Sequence, residues 1–139
     1  MPVQGIRTFR ISIGGKIVTD RTIGAFFSGN VPLNLPHVME VFELDDLVFK
    51  CSLPVRASYD DQDGCWCLKN ERLSLSGYGK TCREALGSLS DHLESLLVEF
   101  LAFEDAALSG KSRQIKKRLQ TYLDLNGASR RLGRLAVEN

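Results

Sequence analysis

Behind Thr81 the chain carries Ala85, Leu86, Leu89, Leu93, Leu96, Leu97, Phe100 and Leu101, apolar residues that recur at steps of three and four. That period puts them on one broad face of a helix. Thr81 and Glu84 have the spacing of a capping box, in which the threonine oxygen takes an amide three residues on and the glutamate reaches back. The helix therefore has a defined start. Its pattern runs to about Ala107, where Ser109-Gly110 has the chemistry of a left-handed C-terminal cap. A long helix with one apolar face needs a flat partner, and the residues ahead of it read as a sheet.

Ile6 to Ile13 mixes alternation with β-branched residues, and Gly14-Gly15 is a hairpin signal before Lys16 to Thr19. Ile23 to Phe27 is a short apolar run, ended by Ser28-Gly29-Asn30 and followed by a loop punctuated by Pro32 and Pro36. Val38 to Leu44 and Leu47 to Leu53 read as strands around Asp45-Asp46, with a short helix near His37 to Leu44 as the alternative. Val55 to Tyr59 resumes the strand signal, Asp60 to Gly64 supplies turn residues, Cys65 to Leu68 returns, and Arg72 to Tyr78 forms a third strand. Gly77 and Gly79 flank Tyr78, which makes positive φ or close packing available just before the helix.

Past Gly110, Ser112 to Leu125 forms a second helix with Ile115, Leu119, Tyr122 and Leu123 on one side, and Asn126-Gly127 stops it. Ser129 to Val137 is short, basic and frayed or only locally helical. The expected class is α+β, an antiparallel sheet packed by one long helix, with an N-terminal β extension and a C-terminal basic helix. Its divisions are a β-rich extension over 1–52, a core domain over 53–109 and a basic helical tail over 110–139.

At 139 residues, with 43% hydrophobic and 25% charged residues, the chain suits one globular domain with extensions. No apolar run approaches the ~20 residues a transmembrane helix needs, and Met1 to Gly5 lacks the basic start and apolar core of a secretory signal. The expected compartment is the cytoplasm, with Cys51, Cys65, Cys67 and Cys82 as free thiols. The net charge of +1 hides an asymmetry: residues 1–110 hold ten Lys/Arg against fifteen Asp/Glu, while 111–134 hold eight against Asp124 alone. A basic tail on an acidic body suits a nucleic-acid contact or an acidic partner surface. Its cations are Lys111, Arg113, Lys116, Lys117, Arg118, Arg130, Arg131 and Arg134.

No enzyme is expected, because no acid, base and nucleophile set converges in the sequence. His37 and His92 lack metal-like companions at one-turn spacing. Gly77-x-Gly79-Lys80-Thr81 resembles the end of a phosphate loop, yet Ser74-Leu75 stands where the earlier glycine belongs. Asp60, Asp61 and Asp63 crowd one turn, but the sequence does not continue as a calcium loop, so solvated turn acids are the better reading. Cys65-Trp66-Cys67 puts two sulfurs on one strand face without the gap of a zinc knuckle. No catalytic residue, cofactor or metal follows from these residues.

One combination is more specific. Asp61-Gln62-Asp63-Gly64-x-Trp66, then Gly79-x-Thr81-x-x-Glu84-Ala85, then Leu89-x-x-x-Leu93, resembles the HicB antitoxin family over about residues 53–104. The resemblance implies a β-β-β-α unit of truncated ribonuclease-H-like form, with the helix from Thr81 across the sheet. It further implies an interaction role, the binding and neutralising of a small ribonuclease toxin, with DNA binding by a separate segment that represses the operon. Asp60, Asp61, Asp63 and Trp66 are then the partner-binding candidates, and the tail cations the DNA candidates. The alternative is an orphan of the same fold, a homo-oligomeric scaffold or nucleic-acid binder without a toxin. A homodimer or higher oligomer is expected, because the helix is more apolar than three strands can cover. Either the N-terminal strands enlarge the sheet or a second copy covers the remainder.

Overall fold

The computed structural model describes residues 8–13, 16–19, 37–45, 47–102 and 107–124. Among the described residues six strands form one sheet: β1 (Phe9–Ile13), β2 (Lys16–Thr19), β3 (His37–Leu44), β4 (Leu47–Asp60), β5 (Cys65–Asn70) and β6 (Leu75–Gly79). Their order is β2-β1-β3-β4-β5-β6, and every neighbouring pair is antiparallel. Two helices follow, α1 (Cys82–Ala102) and α2 (Gly110–Tyr122). The protein is of the α+β class.

Alternation decides which face is covered. Phe9, Ile11 and Ile13 of β1, Met39 and Val41 of β3, Leu53, Val55 and Ala57 of β4, and Trp66 and Leu68 of β5 are buried. The residues between them, such as Arg10, Glu40, Arg56 and Lys69, are exposed. Period-two patterning thus gives the sheet one apolar face. Onto it α1 lays Ala85, Leu86, Leu89, Leu93, Leu97 and Phe100, each 1% exposed or less, and α2 adds Ile115, Leu119 and Tyr122. The stripe of α1 lies mainly on β6, with further contact to β5 and β3 of its own chain.

The capping box forms. Thr81 Oγ1 accepts the Glu84 N–H at 3.1 Å, and Glu84 Oε2 accepts from the Lys80 N–H at 2.9 Å, one residue before the cap. Gly77 and Gly79 serve close packing and not positive φ, since Gly64 is the glycine of positive φ among the described residues. The free edge of β6 is also tended, because His92 on α1 accepts the Ser76 N–H on Nδ1 at 3.1 Å. An edge amide that an intruding strand would need is thus occupied.

Four expectations change. Leu47 to Leu53 and Val55 to Tyr59 are one strand running through Pro54. Pro54 pairs with Glu40 on one side, while on the other the β5 ladder starts only at Arg56–Lys69 and the Asn70 Nδ2 donates to the Pro54 carbonyl at 2.7 Å. No ladder amide is missed there, so the proline is tolerated. The last strand begins at Leu75 and not Arg72, because Asn70 Oδ1 accepts the Leu73 N–H at 2.8 Å and closes a turn over Glu71 to Ser74. Ser109 starts a helix instead: its side chain accepts the Ser112 N–H and α2 begins at Gly110, while residues 103–106 lie outside the described residues. The helical alternative for His37 to Leu44 gives way to a strand.

The boundary expected after residue 52 falls inside β4. Ile6 and Arg7, the Gly14-Gly15 turn, the Ile23 to Phe27 run, the loop with Pro32 and Pro36, and Ser129 to Val137 lie outside the described residues.

Candidate functional site

The acidic turn is built by its first aspartate. Asp60 ends β4, and its Oδ1 accepts the Gln62 N–H at 2.9 Å and the Asp63 N–H at 3.3 Å, while its carbonyl accepts the Gly64 N–H at 2.8 Å. Gly64 takes φ 63°, which a side chain would resist. Of the three carboxylates, Asp60 is thus engaged in turn geometry, and Asp61 and Asp63 point to solvent. They form the acidic tip of the β4–β5 hairpin.

Trp66, expected beside them on a binding surface, is in the core at 5% exposure, with its ring edge-on to Tyr59 at 5.5 Å between centroids. Strand parity explains this. Cys65 and Cys67 share the outer face, so Trp66 between them faces α1 and the interior. The four candidates therefore separate into a turn builder, two solvated acids and a core aromatic.

The thiols are free. Partial burial, then the neighbouring Cys67, Asp60 and Asp63, raise the Cys65 thiol above its ordinary value. Cys82 opens α1, a position whose helix dipole favours a thiolate, yet burial wins and pushes it up to about 12. Neither is an activated nucleophile. Among the described residues no three His, Cys, Asp or Glu side chains are placed to hold a metal ion, and no helix is long and apolar enough to cross a membrane.

On α2, Lys111, Arg113 and Lys117 are exposed, and Lys116 and Arg118 half-buried. Arg118 Nη1 donates to the Arg72 carbonyl at 3.1 Å, which ties the helix to the β5–β6 turn. Cys51 Sγ donates to the Thr121 carbonyl at 3.4 Å and ties the other end of α2 to β4. Arg130, Arg131 and Arg134 lie outside the described residues.

Sequence reasoning missed the outer face of the sheet. Ile17, Val38, Val48 and Tyr78 are 59%, 62%, 57% and 50% exposed there, opposite the helices. Their alternation with core residues was visible, but which parity meets solvent depends on the side the helices take. No protein-family model, curated protein or solved structure matches the chain.

Proposed function

We propose that the chain is a HicB-like interaction module that binds and neutralises a small basic ribonuclease toxin in the cytoplasm, without catalysis of its own. The observation that carries the reading is the acidic tip, with Asp61 and Asp63 held in solvent by the Asp60 turn on a rigid hairpin. The succession β4, β5, β6, α1 supports it, being the β-β-β-α order the resemblance implies. Fixed surface carboxylates attract a basic partner and orient its approach, which acts on the association rate more than on final affinity.

Co-expression with a small basic ribonuclease toxin tests the reading. Growth should be restored and the two proteins should co-purify. Asp61→Asn with Asp63→Asn should slow association about tenfold at low salt, with the difference closing at high salt. Unrelieved toxicity together with no complex would sink the proposal.

A second reading, nucleic-acid binding through α2, is favoured by the exposed cations Arg113 and Lys117, one turn apart on one side of the helix, with Lys111 exposed at its start. On duplex DNA, each cation that no longer neutralises a phosphate reduces the slope of log affinity against log salt by about 0.9. Lys111→Ala, Arg113→Ala and Lys117→Ala together should flatten that slope on an operator-length duplex. An unchanged slope removes α2 from the interface.

A further inference from the structure

Cys65 and Cys67 face outwards on β5, on either side of the inward Trp66. Both thiols are free and half-buried, so solvent reaches them, and they are hydrogen-bonded to each other. Asp60 lies opposite Cys65 in β4, while Ser58 and Tyr78 lie opposite Cys67 on its two sides. The other two cysteines are placed differently. Cys51 donates to the Thr121 carbonyl, and Cys82 is buried at the start of α1.

Strand geometry limits what two such sulfurs can do. Two residues of strand advance about 6.6 Å, and side chains on one face stand parallel, so the two Cβ atoms are separated by a similar distance. A disulfide needs its Cβ atoms about 3.8 Å apart. Closing one would bend β5, which the ladders to β4 and β6 hold from both sides. An ion between the sulfurs asks for less. Metal–thiolate bonds of about 2.3 Å let the sulfurs stand up to about 4.6 Å apart, a span that side-chain rotation alone supplies.

Ligand count selects the ion. Among the described residues no third His, Cys, Asp or Glu completes a metal-holding group with the pair. Asp60, the carboxylate opposite Cys65, already accepts two turn amides on Oδ1. Zinc, which takes four ligands, and hard cations, which take oxygen, are therefore poorly served. Copper(I) is soft, prefers thiolates and is content with two of them in line. We infer that Cys65 and Cys67 form a two-thiolate site for a soft univalent cation of the copper(I) type on the outer face of β5. Loading breaks two S–H bonds, forms two S–Cu bonds and releases two protons, with no change of oxidation state. The site needs no toxin, so its test is independent of the interaction reading above.

Anaerobic titration of the reduced full chain with copper(I), in competition with a chromophoric copper(I) chelator, tests it. One ion should bind per chain. Cys65→Ser and Cys67→Ser should each lower the affinity at least about a hundredfold, because the remaining thiolate no longer chelates. Cys51→Ser should leave it unchanged. Copper(I) should also raise the thermal midpoint of the unaltered chain and of Cys51→Ser, and not those of the two site variants, whose ion-free unfolding shows that each is folded. A further measurement needs no variant: glutathione disulfide should close no Cys65–Cys67 bridge, because the strand holds the Cβ atoms apart. Affinity that survives either site serine, an equal loss in Cys51→Ser, a preference for zinc over copper(I), or ready closure of the bridge overturns the inference.

Discussion

Gly77→Ala should destabilise the protein by about 3 kcal/mol or more, at the top of the range for overpacking a full core. A Cβ at Gly77 would stand 2.3 Å from the Ala85 carbonyl oxygen, 2.5 Å from the Leu89 nitrogen and 2.8 Å from the Leu89 Cβ. Two of these obstacles are backbone and the third is bound directly to it, so no rotamer change relieves them. The first turns of α1 would have to lift off β6. That lift would unpack Leu86, Leu89 and Leu93, which are fully buried, and loosen the His92 bond to Ser76. Gly79 is tight in the same way, with Glu84 Cβ at 2.5 Å and the Ala85 nitrogen at 2.6 Å. Gly110→Ala is the control, because a Cβ there meets nothing within 4 Å and the residue opens α2, where alanine is the better helix former. Urea unfolding should show a much lower midpoint for Gly77→Ala and an equal or higher one for Gly110→Ala. Equal midpoints for both would mean that α1 does not sit this close to β6.

The parts of this fold that rest on local chemistry were legible. Thr81 and Glu84 announce the start of α1, and Asp60 to Gly64 announces a hairpin, because each motif satisfies its own backbone groups within a few residues. The pairing of β1 with β3 carries no comparable signal. It joins Ile11 to Val41 across residues that form no part of either strand, and only the total of apolar surface on α1 hinted that more sheet was needed. Pro54 reads as a break until the reach of β5 is known, since a proline is tolerated in a central strand only where the opposite ladder has ended. Ser109 offers the same oxygen chemistry to the end of one helix and the start of the next, and tertiary placement chose the second. At the candidate site, parity separated Trp66 from its cysteine neighbours, but the side on which α1 lies decided that the tryptophan went inward. The outer face was illegible for the same reason.

Asp45→Ala should cost about 3 kcal/mol, because this one side chain ties the start of the sheet to α1 across a turn. Its Oδ1 accepts the Thr8 N–H at 3.2 Å, its Oδ2 accepts the Ser90 hydroxyl at 2.7 Å, and its own N–H donates to the Thr8 carbonyl at 2.7 Å. Ser90 is 2% exposed, so deleting the carboxylate takes a hydrogen bond from a hydroxyl that water barely reaches. The residue also holds φ 46°, a left-handed conformation that aspartate and asparagine tolerate and alanine resists by about 1 kcal/mol. Asp45→Asn keeps the backbone preference and an acceptor for Thr8, and should cost only about 1 kcal/mol. Ser90→Ala should be intermediate, and combined with Asp45→Ala it should add less than the sum by at least about 1 kcal/mol, the signature of a direct contact. Hydrogen exchange locates the effect. In Asp45→Ala the Thr8 amide should lose protection ahead of global unfolding, while the amides of β5 should not. Equal costs for the alanine and asparagine variants would assign the loss to the carboxylate and not to the shape of the turn, which asparagine keeps, and independent costs at Asp45 and Ser90 would show that the clamp between β1 and α1 carries no energy of its own.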